Sequence, residues 1–237
     1  MPVSNGDLLT LGVNDIHVWQ VAVDQVNPEN ISRFRSIMSA SELERNQRYR
    51  FEKNRFADCV TRALLRTTLS KYAPRDSAQW AFTVGDHGKP EIATPPIPLR
   101  FNLSHTTAHI VCAVTPEYDL GIDIEDTQRT NDVLAIADRY FSEAEMAELQ
   151  QLSNTEQKTD RFFDYWTLKE AYMKASGEGI SLGLGNFSFS FAAENTISIS
   201  FGEKLQDDPS QWCFKLTSPS DNHRMAVAVR CLSLIHI

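Results

Sequence analysis

Cysteine is scarce in this chain of 237 residues, and none of its four copies lies in a Cys-x-x-Cys pair. Structural zinc sites place their cysteines two to four residues apart, and disulfide-stabilised domains are much richer in cysteine. The pattern therefore favours neither a zinc site nor a disulfide framework. We expect reduced, buried thiols at Cys59, Cys112, Cys213 and Cys231.

Long apolar runs are also missing. No run approaches the roughly 18 residues that a membrane span requires. Residues 1–12 lack the basic flank and apolar core of a secretion signal. With 42% hydrophobic and 23% charged residues, the composition is ordinary for a soluble globular protein. We expect a cytoplasmic protein without a membrane segment.

Positive charge is in deficit, and much of it lies in one segment. The formal charge is −8, yet residues 1–115 carry 13 Lys and Arg against 11 Asp and Glu, while residues 116–237 carry 10 against 20. Eight basic side chains fall between residues 45 and 71, beside only two acids. Such a segment either binds an anion or forms a solvated helix face. Nucleic acid is disfavoured as the partner, because the whole chain is acidic and has no zinc-finger or RNP-like pattern.

Apolar periodicity predicts long helices beside strands that are joined mostly by hairpins. Strands are predicted over residues 16–23, 101–103, 108–114, 121–125, 187–191, 196–201, 212–216 and 225–232. Helices are predicted over residues 28–37, 41–71, 130–139, 142–151 and 156–176, the last ending at Gly177. The Gly- and Pro-rich stretch 86–98 predicts a linker or an ordered loop. This order of elements predicts an α+β fold more than a doubly wound parallel sheet.

Two helical stretches resemble each other in sequence. Residues 39–42 and 142–145 both place Glu three positions after Ser, which is the capping box that opens a helix. Residues 55–58 (Arg-Phe-Ala-Asp) and 161–164 (Arg-Phe-Phe-Asp) give a second, short match. Matches this short arise either by chance or by duplication. Duplication predicts two similar, pseudo-twofold-related subdomains, each a mainly antiparallel sheet packed against a long helix, around a shared cleft that would hold the active site. Their predicted ranges are 1–115 and 116–237.

A strand motif supplies the first candidate ligands. Residues 121–125 (Gly-Ile-Asp-Ile-Glu) end an apolar strand, and strand side chains alternate between faces. Asp123 and Glu125 are therefore expected to point the same way. Two acids at the end of a strand can also simply meet water, so this motif alone is weak evidence for a metal site.

A helix motif supplies the second set. In residues 166–174 (Trp-Thr-Leu-Lys-Glu-Ala-Tyr-Met-Lys), Glu170 and Lys174 are four positions apart and share a helix face. A solvated ion pair between them is the alternative to a functional role. If this helix meets the strand motif, three carboxylates and an amine converge, and hard oxygen ligands of this kind suit Mg²⁺. Phosphate chemistry is the first hypothesis.

Two further stretches in the first half suit an anion. Residues 101–105 (Phe-Asn-Leu-Ser-His) end a predicted strand, where Ser104 and His105 can bind a phosphoryl oxygen. A catalytic Ser-His pair is disfavoured, because adjacent strand residues point to opposite faces. Lys89, between Gly88 and Pro90, lies in a stiff turn and is either a phosphate contact or an exposed turn lysine.

The order of these motifs resembles that of the larger, two-halved (Sfp-like) 4'-phosphopantetheinyl transferases. The matching stretches are 88–90, 102–105, 121–125 and 166–174, and the resemblance spans about residues 40–185. Residues 179–182 (Gly-Ile-Ser-Leu) are similar to the Gly-x-Gly-apolar-Ser segment that follows the catalytic helix in that family. Taken together, these motifs are highly specific.

The resemblance implies an enzyme that moves the phosphopantetheine arm of coenzyme A onto a serine of an acyl, peptidyl or aryl carrier protein. Adenosine 3',5'-bisphosphate would be released. Asp123, Glu125 and Glu170 would hold a divalent metal ion against the coenzyme A diphosphate. This ion would be Mg²⁺, with Mn²⁺ as the alternative. The base would be Glu170, through a bound water, or Lys174; we favour Glu170, with Lys174 on a phosphate oxygen.

The resemblance also implies the coenzyme A contacts. Arg45 aligns with a basic position that in relatives meets the 3'-phosphate, although Glu42 stands where some relatives carry a lysine. Arg48 and Arg62 are therefore alternatives, and the basic segment could also dock an acidic carrier protein. The remaining implied phosphate contacts are Lys89, Ser104 and His105.

Three other functions fit parts of the pattern. A non-catalytic sensor of coenzyme A or a nucleotide would use the same anion site without a base. A docking scaffold for carrier proteins would need only the basic segment, and a glycosidase-like hydrolase would need only paired carboxylates. Because a two-halved chain supplies both sides of its own cleft, we expect a monomer.

Overall fold

The computed structural model describes residues 8–85, 88–129, 132–192 and 196–230, apart from the side chain of Ile180. The chain divides into two units, Met1–Glu117 and Tyr118–Ile237. Every strand pair in the described residues is antiparallel. The predicted α+β fold with two halves and antiparallel sheets is therefore confirmed. Cys231 and the ends of two predicted elements, at 130–131 and 231–232, lie outside the described residues.

The first unit combines a three-stranded sheet, a separate hairpin and a long helix. Its described helices are α1 (Ile31–Ser36), α2 (Ala40–Gln47) and α3 (Glu52–Leu69). Its described strands are β1 (His17–Ala22), β2 (Phe82–Val84), β3 (Pro90–Ile92), β4 (Arg100–His105) and β5 (His109–Thr115). The sheet order is β1-β5-β4, while β2 and β3 pair with each other. A core cluster joins α3 to this sheet through Leu65, Leu69, Phe101, Cys112 and Val114.

The predicted helix over 41–71 is wrong as a single element. It is two helices, α2 and α3, separated at residues 48–51, where Phe51 is extended with φ −99° and ψ 136°. Side chains hold this break together. Asn46 donates to the carbonyl of Arg55 and to Asp58, both at 2.8 Å, and Arg55 donates to the carbonyl of Tyr49 at 3.0 Å. No glycine or proline marks the break, so the local sequence gave no signal for it.

The stretch 86–98, predicted as a linker or loop, contributes one strand of a hairpin. β3 pairs with β2 in the register Phe82↔Ile92 and Val84↔Pro90.

The first predicted helix is also shorter than expected. A 3₁₀ turn over Pro28–Asn30, capped by Asn27, precedes α1.

The second unit has the same kinds of element. Its described strands are β6 (Asp119–Asp126), β7 (Phe187–Phe191), β8 (Ile197–Phe201), β9 (Trp212–Ser220) and β10 (His223–Arg230). Its described helices are α4 (Val133–Tyr140), α5 (Glu143–Gln151) and α6 (Thr155–Ser176). The main sheet has the order β6-β10-β9, and β7 pairs with β8. α6 packs along β6 and β10, so this helix forms the centre of the unit.

α6 is buried on several sides, which explains its many aromatic residues. Phe162, Phe163, Tyr165 and Tyr172 are each at most 2% exposed and belong to one core cluster. The helix ends at Gly177, whose φ of +75° is the left-handed conformation that glycine adopts without a Cβ penalty. The predicted helix and its end are confirmed.

The repeated capping boxes are both present. The hydroxyl oxygens of Ser39 and Ser142 accept from the backbone N–H groups of Glu42 and Glu145, respectively. In turn, the carboxylate of each glutamate accepts from the backbone N–H of its serine. In both units the long helix begins 13 residues after the capping serine, at Glu52 and at Thr155. The second sequence match, of 55–58 with 161–164, is therefore out of register by three residues.

Two expectations from composition can be compared with the described residues. Within them, no helix combines the length and the apolar character needed to cross a membrane. Cys59 and Cys112 are buried, and Cys213 is half-buried.

Candidate active site

Gly121 allows the strand motif and the helix motif to meet. A Cβ at this position would lie 2.0 Å from the carbonyl oxygen of Ala171 and 2.5 Å from the backbone nitrogen of Ala175. Only a glycine permits such a close approach of strand to helix. Because alternate strand residues share a face, Asp123 and Glu125 lie on the same side of β6 as Gly121, towards α6.

Lys174 of α6 contacts the strand motif directly. Its ammonium group donates to Oδ1 of Asp123 at 2.7 Å and to the carbonyl oxygen of Ile122 at 3.2 Å. Asp123 is buried, with 4% of its surface exposed. The ion pair of Lys174 is thus with a residue 51 positions away, rather than the local pair with Glu170 that the helix spacing left open.

Glu170 lies half-buried on the same helix, one turn before Lys174. Burial raises the pKa of its carboxyl group, the negative charge of Asp123 raises it further, and Lys174 lowers it. These effects show that the helix carboxylate is within electrostatic reach of the strand carboxylate. A carboxylate with a raised pKa is a better proton acceptor than an ordinary one.

Glu125 is held through both of its carboxylate oxygens. The indole N–H of Trp166 donates to Oε1 at 2.8 Å, and the guanidinium group of Arg129 pairs with Oε2 at 2.7 Å. The pKa of Glu125 is raised to about 7, chiefly by burial and then by the charge of Asp123, with a smaller contribution from Glu170. Arg129 and Trp166 act in the opposite direction.

The donor set of this cluster fits a divalent metal chemically. Asp123, Glu125 and Glu170 offer only carboxylate oxygens, which Mg²⁺ prefers and completes with water or phosphate oxygens. Two cationic side chains of the protein itself, Lys174 and Arg129, already contact the strand carboxylates. Across the described part of the chain, no three His, Cys, Asp or Glu side chains are gathered closely enough to hold a metal ion as they stand.

Ser104 and His105 lie next to each other on β4 in the first unit. Ser104 is 7% exposed whereas His105 is exposed, as expected for neighbours on opposite faces of a strand. Lys89 lies in the β2–β3 loop, where its carbonyl oxygen accepts from Gly85 N–H at 2.9 Å. Gly88 before it has φ +83°, so this lysine follows a backbone conformation that favours glycine.

The basic segment contains buried or half-buried arginines as well as exposed ones, and the exposed Arg48 pairs with Glu44 at 2.6 Å. Arg66 is buried against Glu42, and Arg62 lies 3.4 Å from Asp58. Arg45 is exposed in the last turn of α2. Other exposed or half-buried basic residues follow it at Arg48, Arg50, Lys53 and Arg55. The segment is therefore partly internal structure, which neither of the two expectations, an anion site or a solvated helix face, had included.

Sequence reasoning missed three contributors to the cluster. Trp166 was given no role of its own, yet its indole N–H orients Glu125. Arg129 and Gly121 were given no role. The only signal was local: Arg129 follows Glu125 by four positions, and a glycine inside a strand marks a close backbone approach.

A sequence profile of the 4'-phosphopantetheinyl transferase superfamily matches residues 119–228, which include the whole cluster. Similarity to curated proteins extends over nearly the full chain. The 4'-phosphopantetheinyl transferase HetI of Nostoc sp. is 35% identical over 226 residues, covering 93% of this chain and 90% of HetI. The chain belongs to the 4'-phosphopantetheinyl transferase superfamily.

A second curated relative gives the same result. The 4'-phosphopantetheinyl transferase Sfp of Bacillus subtilis is 31% identical over 212 residues, covering 89% of this chain and 90% of Sfp. Among solved structures, a holo-(acyl-carrier-protein) synthase of Bacillus anthracis is similar over 47% of this chain and 94% of the synthase chain, with 22% sequence identity and a TM-score of 0.39. The prediction of a 4'-phosphopantetheinyl transferase, and so of an enzyme, is confirmed by the sequence relatives.

Proposed function

We propose that this transferase moves the 4'-phosphopantetheine arm of coenzyme A onto a serine of an apo acyl, peptidyl or aryl carrier protein. Mg²⁺ would be its cofactor and adenosine 3',5'-bisphosphate its second product. The observation that carries the proposal is the 2.7 Å contact of Lys174 with Asp123, because it joins the strand and helix motifs into one charged cluster. A cytoplasmic location and a monomeric state remain predictions.

Asp123, Glu125 and Glu170 are the residues that would hold the metal. Their oxygen-only donor set and their mutual electrostatic influence support this assignment. When bound, Mg²⁺ would neutralise the diphosphate of coenzyme A and stabilise the charge on the leaving phosphate.

Glu170 would act as the base. The serine oxygen forms a bond to the phosphorus that carries pantetheine, the bond from that phosphorus to the bridging oxygen of the diphosphate breaks, and the serine proton passes to Glu170, directly or through a water. Burial raises the pKa of Glu170, which suits this role. Lys174 is the alternative base. Its ammonium group donates to Asp123, which instead favours a charged role on a phosphate oxygen.

The first unit would bind the phosphates of coenzyme A. Arg45 is exposed at the end of α2, which suits contact with the 3'-phosphate. Ser104 and His105 would bind phosphate oxygens, and Lys89 would lie near the adenosine end. The exposed basic residues after Arg45 would raise the association rate with an acidic carrier protein in a salt-dependent manner.

Mass spectrometry of a carrier protein tests the activity. The protein is incubated with coenzyme A, Mg²⁺ and each of several apo carrier proteins, and the gain of one phosphopantetheine mass is measured. We expect the gain with wild type, its loss with Asp123→Ala, and its retention with Asp126→Asn on the same strand. No gain with any carrier would contradict the proposal.

The same assay separates the enzyme from a non-catalytic binding module. Glu170→Gln removes the proposed base and alters one proposed metal ligand, so transfer should fall by about 10²-fold or more, while coenzyme A binding without added metal, followed by calorimetry, persists. A wild-type protein that binds coenzyme A but transfers nothing would support the binding module instead.

A further inference from the structure

Lys169 is a buried cation that the proposed chemistry does not use. Its side chain is fully buried, and its ammonium group makes three short contacts. It donates to the carbonyl oxygens of Leu184 and Phe187, both at 2.7 Å, and pairs with Oε2 of Glu145 at 2.8 Å. All three of its N–H donors are thereby used. The ammonium also lies 4.4 Å from the centre of the Phe187 ring.

Glu145 joins this ammonium to two other elements. Its Oε2 accepts from the backbone N–H and the hydroxyl of Ser142, at 3.1 and 3.0 Å, which opens α5. Its Oε1 accepts from the backbone N–H of Phe189 at 2.9 Å, in β7. One buried ion pair therefore ties α6 to the start of α5, to the segment 184–187 and to β7.

The first unit contains the same arrangement with an arginine. Arg66 of α3 is 1% exposed and donates to Oε2 of Glu42 at 2.7 Å. It also donates to the carbonyl oxygens of Ser77 at 3.0 Å and Trp80 at 2.8 Å. In both units the cation follows its capping-box glutamate by 24 positions. Arg66 also donates to the carbonyl oxygen of Ala78 at 3.5 Å, and in both units the two carbonyls at 3.0 Å or less are three positions apart.

Net stability is a weak explanation for such a pair. Replacing a buried ion pair by apolar residues of similar volume is often neutral or stabilising, whereas removing one partner alone is costly. The better-attested use of buried ionic groups is to specify one packing arrangement over its alternatives. In the second unit, that arrangement is the rotation of α6 about its own axis.

The rotation of α6 matters because Glu170 directly follows Lys169. In an α-helix each residue turns the side-chain direction by about 100°. A slip of α6 by one residue would therefore turn Glu170 away from Asp123 and Glu125. Gly121 fixes how close α6 lies to β6 at Ala171 and Ala175, and the Lys169–Glu145 pair adds a hydrogen-bonded anchor of the same helix to α5 and β7.

We propose that Lys169 and Glu145 are positioning residues for the metal site, because they hold α6 in the rotation that aims Glu170 and Lys174 at β6. This proposal rests on the proposed function, since it assumes that Glu170 is a ligand. Arg66 and Glu42 form a similar buried pair in the first unit, but the proposed function assigns no metal ligand to the residues beside Arg66. They provide a matched internal control.

The test measures metal affinity and stability together. Lys169→Met and the double variant Glu145→Met with Lys169→Met are compared with Arg66→Met and the double variant Glu42→Met with Arg66→Met. Mn²⁺ binding is followed by electron paramagnetic resonance, and unfolding by urea titration. We expect the Glu145/Lys169 double variant to fold yet bind Mn²⁺ about tenfold more weakly, the effect typical of residues that orient ligands. The first-unit variants should keep wild-type Mn²⁺ affinity.

Lys169→Arg gives a second, conservative comparison. Since an arginine makes the equivalent contacts in the first unit, this variant should bind Mn²⁺ more tightly than Lys169→Met does. Equal Mn²⁺ affinity in wild type and the double variant would overturn the proposal. An equal loss of Mn²⁺ affinity in the first-unit controls would also overturn it. If the double variant does not fold, equally weak Mn²⁺ binding by Lys169→Arg and Lys169→Met would overturn it.

The proposed function has a separate signature in the same experiment. If Asp123→Asn and Glu125→Gln leave the Mn²⁺ affinity of the wild type unchanged, the metal assignment itself fails, whatever happens at Lys169. If those variants lose Mn²⁺ but the Lys169 series does not, only the positioning role fails.

Discussion

Trp166 donates its indole N–H to Oε1 of Glu125 at 2.8 Å, although 41 positions separate the two residues. The indole is itself fixed by packing. Its ring stacks on that of Phe162, with 5.7 Å between the ring centres, and its centre lies 6.4 Å from that of the Phe141 ring. The aromatic core of the second unit thus determines where one strand carboxylate points. Contacts of this kind tune metal sites as strongly as some ligands do.

Trp166→Phe should therefore weaken metal binding while sparing the fold. The substitution keeps most of the ring packing but removes the donor to Glu125. We expect Mn²⁺ affinity to fall about tenfold and the free energy of unfolding to fall by only about 1 kcal/mol. Trp212→Phe is the matched control, because that indole donates to Asp207 at 2.9 Å instead. Equal Mn²⁺ affinity in the two variants would contradict this role of Trp166.

Arg129→Gln should strengthen metal binding. The guanidinium group pairs with Oε2 of Glu125, where it competes with a divalent ion for the same oxygen. Because 41% of the Arg129 side chain is exposed, solvent screens the pair, and we expect a gain of at most about fivefold in Mn²⁺ affinity. Arg139→Gln, a change in a second arginine of the same unit, is the control. Weaker Mn²⁺ binding by Arg129→Gln would show that the guanidinium supports the site rather than competing for it.

Gly121→Ala should be severely destabilising. Its new Cβ would lie 2.0 Å from the carbonyl oxygen of Ala171, so β6 and α6 must move apart. We expect the free energy of unfolding to fall by about 3 kcal/mol or more. Gly185→Ala is a suitable comparison, because its Cβ would be 3.6 Å from the nearest backbone oxygen, an ordinary contact. Similar urea midpoints for Gly121→Ala and wild type would refute the close-approach argument.

The stability of the metal-free protein should decrease as pH rises from about 4.5 to about 7. The pKa of Glu125 is raised from 4.5 to about 7 in the folded state, so the folded protein binds more protons than the unfolded chain in that window. The raised pKa of Glu170 acts in the same direction. Urea titrations in a chelator at several pH values measure the slope. Glu125→Gln should flatten it, and an unchanged slope in that variant would assign it to other groups.

Local sequence was sufficient where one element decides the outcome. The capping boxes at Ser39 and Ser142 and the end of α6 at Gly177 could be predicted, because each depends on residues within one helical turn. The break between α2 and α3 could not. It is stabilised by hydrogen bonds from the side chains of Asn46 and Arg55 to backbone carbonyls on the other side of the turn. No glycine or proline in the sequence indicates a break there.

The strand pattern alone placed Asp123 and Glu125 on one face, and helix spacing alone placed Glu170 and Lys174 on another. Family membership followed from those motifs in their order. Only the tertiary structure decided that Lys174 pairs with Asp123 rather than Glu170, that Trp166 and Arg129 hold Glu125, and that Lys169 is buried against Glu145. The physical reason is that periodicity fixes the direction of a side chain within its own element. Which of several charged groups it meets depends on how closely two distant elements pack.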